Sequence, residues 1–141
     1  MRVEKLREQK GFSLVELLVA VCIMAIAFAG LATMEVACIN GNSIASNVTT
    51  GITLAQDKME ELNSVDYNDP RVADVNTSNN GNLRNSTNID FSEIDIDEQG
   101  NPGGVYTRIW NVADDTPTAG QKTIVVIVTW KNHTVTVTSI I

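Results

Sequence analysis

A lone carboxylate, Glu16, stands at the front of an otherwise apolar run in "GFSLVELLVA", Gly11 to Ala20. A charge within a membrane-spanning helix costs a few kcal/mol unless it is paired or close to the interface. No basic residue lies between Gly11 and Lys58 to pair with it. Cleavage after Gly11 would create the missing partner, because the new α-amine on Phe12 would lie four residues before Glu16, on the same face of a helix beginning there. In a staggered assembly, the amine of one chain could meet Glu16 of the next. Gly11, Phe12 and Glu16 therefore form the first candidate constellation.

The second lies in "DIDEQGNPGG", where Asp95, Asp97 and Gly100 copy positions one, three and six of a calcium loop. An EF-hand would place a bidentate Glu at position twelve, and Tyr106 stands there. An acidic turn is the expected reading, with calcium on Asp95, Asp97 and Glu98 as the alternative. Enzymatic chemistry finds no support. The single histidine, His133, falls in an expected tight turn, and both cysteines fall in or beside the apolar run, so no nucleophile, base and orienting group come together. Cys22 and Cys38 would lie about 24 Å apart along a helix, too far to bridge within one chain.

The element that must carry Glu16 is a helix. From Leu17 to Met34 the 18 residues "LLVAVCIMAIAFAGLATM" hold no charge, just enough to span a hydrocarbon core. Arg2, Lys5, Arg7 and Lys10 precede it, which predicts that residues 1–11 stay cytoplasmic and the head crosses. A secretory signal peptide fits poorly, since Glu16 interrupts the run and no small-x-small site closes it. A lipoprotein signal at Cys38 is opposed by Glu35, which stands where an aliphatic residue is needed. Ala20, Ala25, Ala27, Ala29, Gly30 and Ala32 would allow close helix packing, yet a plain single-pass anchor explains them equally.

Net charge is −7, and without residues 1–11 six basic residues face fifteen acidic ones. Such an acidic exterior argues against nucleic-acid binding, which requires a basic face.

"KGFSLVELLVA" resembles the class III signal of type IV prepilins and type II secretion pseudopilins: a short basic leader ending in Gly, then Phe, then Glu as fifth residue of the mature chain. "LAQDKMEELNSVDYND" (Leu54 to Asp69) and "YTRIW...TIVVIVTW" are similar to PilV-like minor pilins and GspI-like minor pseudopilins. The resemblance implies that a prepilin peptidase cuts between Gly11 and Phe12 and N-methylates Phe12. It also implies that Glu16 pairs with a neighbour's N-terminus, and that the partners are other pilin or pseudopilin subunits and an inner-membrane assembly platform. The place implied is the inner membrane with the head outside the cytoplasm, and later the filament. Some pseudopilins use calcium, which keeps Asp95, Asp97 and Glu98 in view. Major pilins commonly close their C-terminal region with a disulfide; no cysteine follows Cys38, which favours a minor subunit. The competing class is a monomeric membrane-tethered binding module, which would have no need of Glu16.

Beyond Glu35 an apolar stripe continues at Ile44, Val48, Ile52, Ala55, Met59 and Leu62, one face of a helix. Gly41, Gly51 and several Asn and Thr weaken it, so packing must supply its stability. Glu60 and Glu61 oppose the dipole at its C-terminal end and are expected to be solvated or to face a partner. Residues 66–104 read as a long surface loop holding a short strand within "NIDFSEIDI". Three β-rich segments follow, and a tight turn at Lys131-Asn132 pairs Trp130 with His133, Val128 with Val135 and Val126 with Val137. Ile124, Val126, Val128, Trp130, Val135 and Val137 then share the face that meets the helix stripe. The expected fold class is α+β: leader 1–11, filament-core helix 12–35, amphipathic continuation 36–65, loop region 66–104 and antiparallel sheet 105–141.

Overall fold

The computed structural model describes residues 11–141, so the leader expected at 1–11 lies, but for Gly11, outside the described residues. Helix α1 runs Leu14–Asn63, and strands β1 (Phe91–Ile96), β2 (Tyr106–Asp114), β3 (Lys122–Trp130) and β4 (His133–Ile140) follow. The chain divides into two compact units, meeting between Ser43 and Ile44. In the first, every described residue is exposed, including the large apolar side chains from Phe12 to Met34. An apolar surface of that extent marks a membrane or protein interaction site.

In the second unit the strands form one antiparallel meander in the order β1-β2-β3-β4. The pairings expected from the Lys131-Asn132 turn are all present: Trp130 with His133, Val128 with Val135 and Val126 with Val137. Side chains alternate across a strand, so one set of apolar residues must find a cover. Trp110, Val112, Ile124, Val126, Val128 and Trp130 pack with Leu54, Ala55, Met59 and Leu62 of α1, joined by half-buried Val48, Val135 and Val137. This packing stabilises a helix segment whose own propensity is poor.

The buried stripe is rotated from the expected one. Ile44 and Ile52 are exposed, whereas Gly51, Leu54 and Lys58 turn inward. Gly51 explains the rotation, because a Cβ there would lie 2.6 Å from the Trp130 ring; the indole occupies the space a side chain would take. Lys58 turns inward because it has partners for its charge, described below. Apolarity alone identified the helix face to within about one position.

Residues 66–104 differ more from expectation. Two short 3₁₀ turns, Pro70–Val72 and Thr77–Asn79, interrupt the loop. It also covers the second face of the sheet, where Leu83 and Ile89 pack on Ile109, Ala113, Val125 and Ile127. The Val125 and Ile127 interruptions of the Thr-rich face are thus a second small core. Its fasteners are polar. Asp90 Oδ1 accepts from the backbone N–H groups of Val75 at 3.0 Å and Asn76 at 2.5 Å, while its Oδ2 accepts from Asn79 Nδ2 at 2.9 Å and Val112 N at 2.8 Å. Fully buried Asn111 accepts from Asp90 N at 3.0 Å and donates Nδ2 to the carbonyls of Leu83 at 2.7 Å and Asn85 at 2.9 Å. Buried polar groups require such partners, and here they position the loop.

Candidate functional site

Gly11, Phe12 and Ser13 precede the helix and are exposed. In the uncut chain Phe12 precedes the helix, because α1 starts at Leu14. The start has its own chemistry. Ser13 Oγ accepts from Val15 N–H at 3.3 Å, Ser13 N–H donates to Glu16 Oε2 at 3.5 Å, and Leu17 N–H closes the first turn on Ser13 O at 3.1 Å. This is a capping box, S-x-x-E, in which the Ser and the Glu three residues later satisfy donors that a helix start leaves free. Its sequence signal is Ser13-Leu14-Val15-Glu16 ahead of an apolar run. A carboxylate in the first turn also complements the helix dipole. Glu16 thus serves its own chain without abandoning its exposed position.

The head holds a second cluster of charge. Glu93 on β1 accepts from Lys58 Nζ at 2.8 Å and from Arg108 Nε at 2.7 Å, with a further ion pair to Arg108 Nη2. Lys58 also pairs with Glu61 at 2.9 Å and lies 4.3 Å over the Trp110 ring, while Arg108 Nη1 donates to the Leu54 carbonyl at 3.0 Å. Arg71 joins Glu61 at 3.1 Å and Asp69 at 2.9 Å. Burial works against the charge of Glu93, yet the hydrogen bonds from Lys58 and Arg108 outweigh it and hold the carboxyl below its usual range. The hydrogen bond from Lys58, then the one from Arg71, does the same for Glu61. Glu61 is therefore a structural partner of the head. Glu60 remains exposed. The cluster ties α1 to β1 and β2.

Asp95, Asp97 and Glu98 lie where β1 turns toward β2, and Asp95 and Asp97 hold backbone groups of the turn. The Asp95 carbonyl accepts from Gly103 N at 2.6 Å and Gly104 N at 2.9 Å, and Asp95 itself has φ 54°. Asp97 Oδ1 accepts from Gln99 N at 2.9 Å and Asn101 N at 2.8 Å; the Asn101 bond foremost holds its carboxyl below the usual value. Gly104 is required because a Cβ would lie 2.0 Å from the Ile96 carbonyl oxygen. Among the described residues no three His, Cys, Asp or Glu converge as a metal-holding group. An open recess of about 300 Å³ adjoins this turn, lined by Asn47, Asp97, Glu98, Gln99, Val105 and Tyr106. His133 is also placed structurally: its ring stacks on Trp130 at 5.6 Å.

Cys22 and Cys38 are free and exposed. The described part of α1 is long and apolar enough to cross a membrane, and that window has no buried residue. No curated protein and no solved structure matches the chain. A family model does: residues 6–32 match the prokaryotic N-terminal methylation motif. The match contains Gly11, Phe12, the Ser13–Glu16 cap and most of the uncharged run. The chain thus carries the prokaryotic N-terminal methylation motif at the start of an exposed apolar helix.

Proposed function

We propose that this protein is a minor pilin or pseudopilin, cut after Gly11 and N-methylated on Phe12 by a prepilin peptidase, and built into or priming a type IV pilus or pseudopilus. The methylation motif at residues 6–32 carries the reading. Before assembly the Phe12 to Met34 segment sits in the inner membrane with the head outside the cytoplasm; afterwards it lines the filament core against other subunits, delivered by the membrane assembly platform. Association in lipid relies on close packing, hydrogen bonds and charge pairing, because the tails are as apolar as the helices. Glu16 supplies the charge, meeting the Phe12 amine of a neighbour and setting axial register. The absence of any cysteine after Cys38 supports a minor rather than a major role.

A monomeric tether would use the same apolar helix but leaves a methylation motif unaccounted for. Intact-mass measurement of the protein from its native membrane separates the two readings. A chain beginning at methylated Phe12 is expected, together with recovery in sheared filaments. A chain beginning at Met1 or Cys38 would remove the proposal.

A further inference from the structure

We infer that the outer edge of β4 is an interaction surface, and that it pairs with β4 of a second copy of this chain as an antiparallel two-strand ladder joining two heads. The inference goes beyond filament entry through α1 and stands on the head alone. β4 ends the sheet, so one row of its backbone groups has no partner among the described residues. Which row follows from the ladder. Lys122 and Ile141 exchange both backbone hydrogen bonds, at 2.8 and 2.9 Å. Bonded and non-bonded pairs alternate, so Ser139, Val137, Val135 and His133 also bond to β3. Thr134, Thr136, Thr138 and Ile140 therefore turn N–H and C=O outward, with Thr136 half-buried and the others exposed.

The two edges of the sheet are treated differently. Edges are normally blunted by charges, proline, bulges or a covering loop. β1 has these devices: Glu93 and Asp95 lie on it, its register shifts after Glu93, Asp95 has a left-handed backbone, and its end is bridged by Pro102. β4, "HTVTVTSI", has no proline, no register shift and no Asp, Glu, Lys or Arg. An extended strand is the group such an edge binds.

Charge and pattern select a second copy. Residues 116–141 contain no Asp or Glu, although the chain carries −7 overall. The edge strand itself therefore sets no acidic side chain against a second acidic head. Placed antiparallel with Thr136 opposite Thr138 of the other copy, all four outward residues exchange bonds, Val137 faces Val137, and no like charges oppose one another. The contact is isologous, so it closes on two chains.

The test uses the full chain in phospholipid vesicles, with Cys22→Ser and Cys38→Ser. Mixing Thr136→Cys with Thr138→Cys chains and oxidising is expected to give several-fold more covalent dimer than either alone or than Ser78→Cys, a site on the loop. Thr136→Pro removes one outward N–H and leaves the β3 ladder intact. With the native cysteines reduced, it should weaken head self-association at least tenfold in detergent while leaving the tryptophan-detected melting temperature unchanged. A dimer yield equal to the Ser78→Cys control, self-association unaffected by Thr136→Pro, or cross-linking only when a different subunit is added would each overturn the inference.

Discussion

Glu93→Gln tests the cluster that fastens α1 to the sheet. The substitution keeps the shape of the side chain and removes its charge, leaving Lys58 and Arg108, whose side chains are 6% and 10% exposed, with one shared anion fewer. Removing one partner of a fully buried pair costs about 3–5 kcal/mol. The Glu93 side chain is 32% exposed, so water screens part of the loss, and Gln retains one acceptor. The expected cost is about 2–3 kcal/mol after that discount. For a head of this size it lowers the melting temperature by roughly 10–20 °C. Trp110 and Trp130, 6% and 3% exposed, report head unfolding by fluorescence in the detergent-solubilised full chain. A shift within about 3 °C would refute the assignment of the cluster as a stabilising fastener. The pH dependence has a definite sign. Glu93 and Glu61 have folded values below their ordinary ones, so their contribution is fully present above the unfolded pKa, about 4.3, and is lost as pH falls through the lower folded values. Wild type should therefore lose stability steeply in acid, and Glu93→Gln should flatten that limb.

Two further substitutions probe the packing. Gly51→Ala should destabilise the head by up to about 2 kcal/mol in the same melting assay, because overpacking against Trp130, about 1–3 kcal/mol, outweighs the roughly 1 kcal/mol gained in helix propensity; a stabilised variant would show that the indole has room to move. Asn111→Ala should cost about 2–4 kcal/mol and speed proteolysis between Leu83 and Asp90, because its three hydrogen bonds to Asp90, Leu83 and Asn85 have no substitute.

The regular elements were legible because burial imposes a period. The β3–β4 register followed from a two-residue turn and the Val alternation, and every expected pair is present. The stripe on α1 was displaced because hydropathy cannot register a glycine that makes room for an indole, or a lysine buried with its counter-charges. The loop was the least legible part. Asp90 and Asn111 act through single backbone contacts 14–28 residues away in sequence, which leave no period to read. Glu93 and Arg108 were invisible for the same reason: an ion pair across neighbouring strands has no signature in either strand alone. At the N-terminus the residue was legible and its cap contact was not. Glu16 stood out by charge, while its place in the cap depended on Ser13.

The observed cap and the proposed amine pairing separate experimentally. As the second half of a capping box, Glu16 acts as a hydrogen-bond acceptor for Ser13 N–H, and Gln can do the same. As partner of a neighbour's amine it must be an anion, and Gln fails. Ser13→Ala removes the other half of the cap, worth about 1 kcal/mol, and leaves the carboxylate in place. The cap is a small part of what holds a helix in lipid, where each backbone group left unsatisfied by unwinding costs several kcal/mol. Glu16→Gln and Glu16→Ala should therefore both insert and be processed, yet enter filaments poorly, while Ser13→Ala should enter nearly as wild type does. Immunoblots of sheared filaments against total membrane protein measure the ratio. Normal incorporation of Glu16→Gln with loss for Ser13→Ala would assign Glu16 to the helix cap alone, and the amine pairing would fall.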